Sequence, residues 1–146
     1  MIARLLLPQP LRDAIAADAR AAFPCECCGL IEGRRENDVV RALVVHPVRN
    51  LAHDPDRFEL DPAEQFRLMR ILRGTSREIV GCYHSHPNGR AELSLRDRAN
   101  AGEDDFVWLI VGIDADGPAS WSCHVSRGGG WCMVEIAICE EHASCT

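Results

Sequence analysis

The reading of this chain turns on one stretch: Glu78-Ile79-Val80-Gly81-Cys82-Tyr83-His84-Ser85-His86-Pro87, then six residues, then Ser94-Leu95-Arg96-Asp97. Residues 78–84 form an apolar run of strand length, the pattern of a buried β-strand, and it leads straight into His-Ser-His-Pro. Side chains alternate along a strand, so His84 and His86 share a face with Cα atoms about 6.5–7 Å apart. From that separation two imidazoles converge on one ion with bonds of about 2.0–2.1 Å. Ser94 opens a helix, and Asp97 in its first turn is placed to fold back over the loop and add a carboxylate oxygen. Two imidazoles and one carboxylate form the three-ligand set of a catalytic zinc, which keeps one position for water or substrate. Ser94 and Asp97 also satisfy a Ser-x-x-Asp capping box. The two roles are compatible. Cys82 falls on the same face as both histidines. It is either a fourth ligand, closing the site, or a small core residue beneath it, and packing is the expectation.

Outward from this stretch the chain alternates helices and strands. Leu11, Ile15 and Ala19 recur four apart, which predicts an amphipathic helix from near Pro10 to the break at Pro24. A short strand at 29–33, a polar turn at 34–38 and a β-branched strand at 39–45 follow. Residues 47–57 are polar and irregular. Asp61-Pro62-Ala63-Glu64 is a helix start; Phe66, Met69 and Leu72 carry that helix to Gly74. The helix opened by Ser94 should run to about residue 102. Strands at 106–113, 119–126 and 131–138, with turns at 114–117 and 128–130, read as an antiparallel meander. The whole predicts one α/β domain over residues 1–138, a curved mixed sheet flanked by helices, with a polar tail at 139–146.

The 146 residues fit one domain with a proper core. The net charge is −6, and the cations are 16 scattered arginines with no lysine. That argues against a nucleic-acid partner, which calls for a concentrated basic patch. No run approaches the roughly 20 apolar residues of a membrane span, and the N-terminal run is too short for a secretion leader; the expectation is a cytoplasmic protein. Eight cysteines in such a chain are by default reduced thiols. Cys25-x-x-Cys28, with Cys27 between, is compatible with a soft metal or a redox pair, but no second pair completes a four-cysteine ribbon. His46, His53, His124 and His142 stand alone and read as surface or hydrogen-bonded structural histidines.

His84-x-His86-Pro87, Ser94 and Asp97 together resemble the signature of the JAMM (MPN-plus) zinc metallopeptidases. Pro24-Cys25-Glu26-Cys27-Cys28-Gly29-Leu30-Ile31-Glu32-Gly33 is similar to that family's segment bearing the catalytic glutamate. Asp61-Pro62, the strand at 79–83 and the strand at 107–111 extend the likeness in order over most of the chain. The resemblance implies a cytidine-deaminase-like fold and zinc on His84, His86 and Asp97. It also implies Glu26 as general base and later acid, and Ser94 as the group that steadies bound water or the tetrahedral intermediate. Leu93 departs from the family, which usually has proline there, and implies a looser loop. Small stand-alone members process the C-terminus of ubiquitin-like sulfur carriers, either releasing cysteine or trimming beyond Gly-Gly. The substrate implied is therefore a protein or peptide of that kind. Two other readings are a non-catalytic interaction module of the same fold and a metal protein built on Cys25, Cys27 and Cys28.

Overall fold

A computed structural model describes residues 1–55, 57–100 and 102–139. Of the expected tail at 139–146 only Cys139 is described, and it is not tail but the last residue of a strand, paired with Pro8; residues 140–146, His142 among them, lie outside the described residues.

Seven strands and three helices follow one another as β1 (Arg4–Pro8), α1 (Gln9–Ala22), β2 (Cys28–Glu36), β3 (Val39–Val48), α2 (Pro62–Leu72), β4 (Glu78–His86), α3 (Leu95–Ala99), β5 (Val107–Asp114), β6 (Gly117–Arg127) and β7 (Gly130–Cys139). The strands pair in the order β1-β3-β2-β4-β5-β6-β7, and the sheet closes on itself. The expected curved mixed sheet is thus a closed, barrel-like one. The closing element is β1, which is too short to announce itself in sequence. It lies parallel to both β3 and β7, Leu5 opposite Val40 on one side and Ile136 on the other. A fully paired barrel has no unsatisfied edge, and Leu5 and Leu7 are fully buried inside it. The β5-β6-β7 meander is antiparallel as expected, whereas β4 and β5 run parallel.

Two apolar clusters result. The inner one holds Leu5, Leu7, Ile31, Val40, Leu109, Val111 and Val125, with Leu11, Ile15 and Ala19 of α1 packed into it. Helix α1 touches β1, β3, β4, β5 and β6, which is why its four-residue repeat is strictly apolar. The outer cluster lies on the other face of β2, β4 and β5: Leu30, Cys82, Ile79 and Trp108, covered by Leu68 of α2 and by Phe58, Leu60 and Phe106. The stripe of α2 that turns inward is Leu68 with Leu72; Phe66 and Met69 face outward. Asp61 caps this helix by accepting from the Ala63 amide at 3.0 Å. Helix α3 is shorter than expected, ending at Ala99. No helix among the described residues is long and apolar enough to cross a membrane.

One buried charge stitches three segments. Glu32 on β2 is 6% exposed; it accepts from His46 Nε2 of β3 at 3.0 Å and from Arg77, just before β4, at 3.0 Å. Burial pushes its carboxyl up, but the bonds from His46 and Arg77 outweigh burial and hold it below the usual glutamate value. A lowered folded pKa adds stability above the unfolded pKa of about 4.3, and that stability is lost as pH falls through the folded value. Urea denaturation should therefore find Glu32→Gln about 1–2 kcal/mol less stable than the wild type at pH 7, the partners being partly exposed. The gap should close at acid pH; a constant gap from pH 7 to 3 would contradict the assignment.

Candidate metal centre

Strand β4 delivers both histidines to one face, as alternation requires. His84 Nε2 lies 3.0 Å from His86 Nε2. The Asp97 carboxylate completes the triangle, 3.2 Å from each ring nitrogen. Bonds of about 2.0–2.1 Å in a tetrahedron would hold ligand atoms about 3.3 Å apart, so these three atoms fit a common ion. The chemistry fits too. A carboxylate that is 3% exposed needs compensating positive charge, and two imidazole lone pairs cannot supply it alone. Burial pushes the Asp97 carboxyl up; His84 and His86 outweigh that and hold it well below the usual carboxylate range. Burial holds His84 below its ordinary value, in the neutral form that binds metals. For His86 burial acts the same way, but the bond and charge of Asp97 prevail and raise it.

The two rings are fixed by different means. His86 Nδ1 lies 3.1 Å from the Arg90 carbonyl. A carbonyl only accepts, so this nitrogen carries the proton and Nε2 presents its lone pair to the site. His84 Nδ1 is buried without a hydrogen-bond partner among the described residues. Its ring is held by shape: Phe58 stacks on it with centroids 4.1 Å apart, and Trp108 stands edge-on at 6.1 Å.

Asp97 and Ser94 form the reciprocal capping box. The Asp97 amide donates to Ser94 Oγ at 3.0 Å, and the Ser94 amide donates to Asp97 Oδ2 at 2.9 Å. Ser94 is exposed at the wall of a cleft of about 330 Å³ that also takes in Glu26, His86 and Asp97. Glu26, on the loop between α1 and β2, is 5% exposed, and a carboxylate oxygen comes within 4.8 Å of the histidine nitrogens. The five candidate residues thus meet at one place, although Glu26 comes from a distant part of the chain.

Several positioning residues escaped the sequence reading. Ser85, pointing away from its flanking histidines, accepts from the Cys27 amide at 2.8 Å, while its own amide donates to the Cys27 carbonyl at 3.1 Å. Those two bonds staple the Glu26 loop to the His-x-His strand. Asn50 donates to the carbonyls of Glu26 and Arg57, both at 3.0 Å, and accepts from the amides of Ala52 and Glu59 at 2.9 Å. It ties Glu26 to the loop that carries Phe58. On β6, Ser120 Oγ accepts from the Ala91 amide and donates to the Gly89 carbonyl, both at 3.0 Å, and Ser122 Oγ donates to the Ala91 carbonyl. A Cβ on Gly112 would meet the Gly89 oxygen at 2.5 Å, so glycine is required where the loop crosses β5. The segment after His86, which lacks the family's proline at Leu93, is thus clamped from β6. The signal in sequence was the period-two polar row Ser120, Ser122, His124 and Ser126. His124 is buried at 2.8 Å from Ser122 Oγ, as expected of a structural histidine, and His46 pairs with Glu32.

Among the described residues the cysteines form no cluster placed to hold a metal. Cys25 is exposed, Cys27 lies in the inner cluster, and Cys28 packs against β3 with Sγ 3.6 Å from the Val48 carbonyl. Cys82 sits in the outer cluster below His84. Burial pushes the Cys27 and Cys28 thiols up to about 12 and Cys82 higher still. Neutral thiols are poor ligands and poor nucleophiles.

Residues 8–124 match the family described as prokaryotic homologs of the JAB domain. A desampylase from Haloferax volcanii is 34% identical over 116 residues, covering 76% of this chain and 82% of that protein. A CysO-cysteine peptidase from Mycobacterium tuberculosis is 30% identical over 107 residues, covering 73% of this chain and 72% of that protein. A solution structure from Desulfitobacterium hafniense superposes with a TM-score of 0.84 at 30% identity, over 97% of both chains.

Removing both clamp hydroxyls, in Ser120→Ala with Ser122→Ala, should free the Arg90 carbonyl that orients His86. Affinity for a divalent metal ion, read by competition with a chromophoric chelator, should fall about 10–100-fold, the usual effect of losing such outer support. Unchanged affinity would show that the loop holds His86 without β6.

Proposed function

The chain belongs to the prokaryotic JAB-domain family, and from that premise we propose that it is a zinc-dependent peptidase with His84, His86 and Asp97 as ligands, Glu26 as proton shuttle and Ser94 as oxyanion donor. The observation that carries the reading is the buried triangle of two imidazole nitrogens and one carboxylate, with Glu26 beside it. When bound there, zinc supplies Lewis acidity, polarising a carbonyl and lowering the pKa of water to about 7. Glu26 would take the proton from the attacking water and return it to the leaving amine. The Ser94 hydroxyl accepts from the Asp97 amide and keeps its own proton to donate toward the oxyanion that develops on the scissile carbonyl. Asp97 stays ionised throughout, because its two histidine contacts and the Ser94 amide favour the charged form.

The enzyme is a hydrolase of the JAMM type acting on a protein substrate. We place the scissile bond at the C-terminus of a ubiquitin-like sulfur carrier, as release of cysteine or trimming beyond Gly-Gly. Relatives named as a desampylase and a CysO-cysteine peptidase support that choice. A non-catalytic interaction module would have no use for a buried ligand set with a carboxylate held beside it. A cysteine-based metal protein is disfavoured because Cys25 is exposed while Cys27 and Cys28 are buried, Cys27 in the inner cluster and Cys28 against β3.

Metal analysis paired with hydrolysis tests this. Wild type should carry one zinc per chain and cleave a cysteine-extended carrier. His84→Ala should lose the metal. Glu26→Gln should keep it with turnover reduced about 10²–10⁴-fold, the usual range for a general base. Replacement of Cys25, Cys27 and Cys28 by alanine should leave the metal in place. Zinc that survives His84→Ala, or full turnover by Glu26→Gln, would overturn the assignment.

A further inference from the structure

The cleft beside the ligand triangle gathers three guanidinium groups in a protein of net negative charge. Arg57, Arg90 and Arg96 all line it, although the chain as a whole carries net charge −6 and no lysine. Each arginine is coupled to an element that touches the ligands. Arg57 precedes Phe58, which stacks on His84. Arg90 gives its carbonyl to His86. Arg96 precedes Asp97 in α3. Arg57 has Asp54 at 3.9 Å; Arg90 and Arg96 have no ion pair among the described residues. Of the acidic groups lining the same cleft, Asp97 is engaged by the histidines and Glu26 is buried, leaving Glu92 at the exposed rim. Arginines and carboxylates are equal in number along the lining, so a divalent ion at the triangle would tip the cleft to net positive charge. Such a cleft attracts an anion, and a guanidinium is shaped to hold a carboxylate through two parallel hydrogen bonds.

The reaction itself says which carboxylate. When the leaving group is a single amino acid, its free α-carboxylate is bonded to the carbon that carries the scissile nitrogen, roughly 2.5 Å from that nitrogen. A carbonyl presented to the ligand triangle then brings the carboxylate into the same cleft. When the scissile nitrogen belongs to a lysine side chain, no carboxylate is near it. Accepting the peptidase reading above, on which this rests, we propose that Arg90 and Arg96 form a subsite for the free α-carboxylate of the leaving residue. The preferred bond is then the terminal peptide bond of a carrier extended by one residue, and not an isopeptide to lysine. Hydrolysis consumes one water: the carrier regains its carboxylate, and the departing amino acid takes the proton on its amine and keeps its own carboxylate on the arginines until release.

Three probes separate the possibilities: a ubiquitin-like sulfur carrier ending Gly-Gly-Cys as the free acid, the same protein as the C-terminal carboxamide, and the carrier joined through Gly-Gly to the Nε of a lysine peptide. With zinc-loaded wild type, kcat/KM for the acid should exceed that for the amide and the isopeptide at least about tenfold, the worth of one charge-assisted pair. In Arg90→Gln with Arg96→Gln the acid-to-amide ratio should fall to near one, with the change mainly in KM, while bound zinc remains one per chain. The same acid-over-amide preference should appear as a Kd ratio on the Glu26→Gln protein, where no turnover intervenes. Equal cleavage of acid and amide by wild type, or a ratio that survives in the double variant, would overturn the subsite and leave the peptidase reading standing. Cleavage of none of the three would remove the carrier-processing reading first, and the subsite with it.

Discussion

A carboxylate buried to 3% exposure, with two imidazole nitrogens each 3.2 Å away, sets the terms for everything around it. Asp97 stands on a helix of five residues, far below the length at which a helix holds itself together in water. The helix persists because the capping box closes its first turn and because Asp97 is anchored to β4. The dependence runs both ways. Without the carboxylate two buried imidazoles would face one another across 3.0 Å with one hydrogen-bonding proton between them at best.

The barrel makes this arrangement affordable. Strand β4 lies between β2 and β5 in the strand order, so the backbone of its His-x-His segment is paired on both sides, with Cys28 on β2 and with Ile110 and Gly112 on β5. Ser85, between the histidines, turns inward and takes hold of the Glu26 loop; the histidines turn outward to the cleft. One strand therefore positions the proposed ligands with one face and, through Ser85, the loop of the proposed proton shuttle with the other. The outer cluster of Leu30, Cys82 and Trp108 supplies the apolar floor that keeps His84 neutral.

The loop from Pro87 to Leu93 is held from β6. A proline would restrict the backbone just before Ser94; here the restraint is external, from Ser120 and Ser122 of β6. That leaves the loop free to carry Arg90, whose backbone orients His86 and whose side chain lines the cleft. The proposed metal site and the proposed carboxylate subsite thus share one residue through different atoms.

Short-range geometry was legible from the sequence. The period of two along β4 put His84 and His86 on one face, and Ser-x-x-Asp put Asp97 in a first helical turn, because both facts depend only on neighbours in the chain. The four-residue repeat of α1 and the terminal meander were legible for the same reason. Glu26 was visible through family likeness alone, since spacing does not select one acid among many 58 residues before a histidine. What the tertiary structure decided is everything set by pairing between distant segments. It closed the sheet through β1, whose five residues carry too little pattern to read as a strand. It turned Leu68 of α2 inward where the sequence had pointed to Phe66 and Met69, because helix orientation follows the surface it covers. It buried Cys82 and scattered the other thiols. It brought Ser85, Asn50, Ser120 and Ser122 to the site as supports, since a polar side chain shows its partner only once the fold has supplied one.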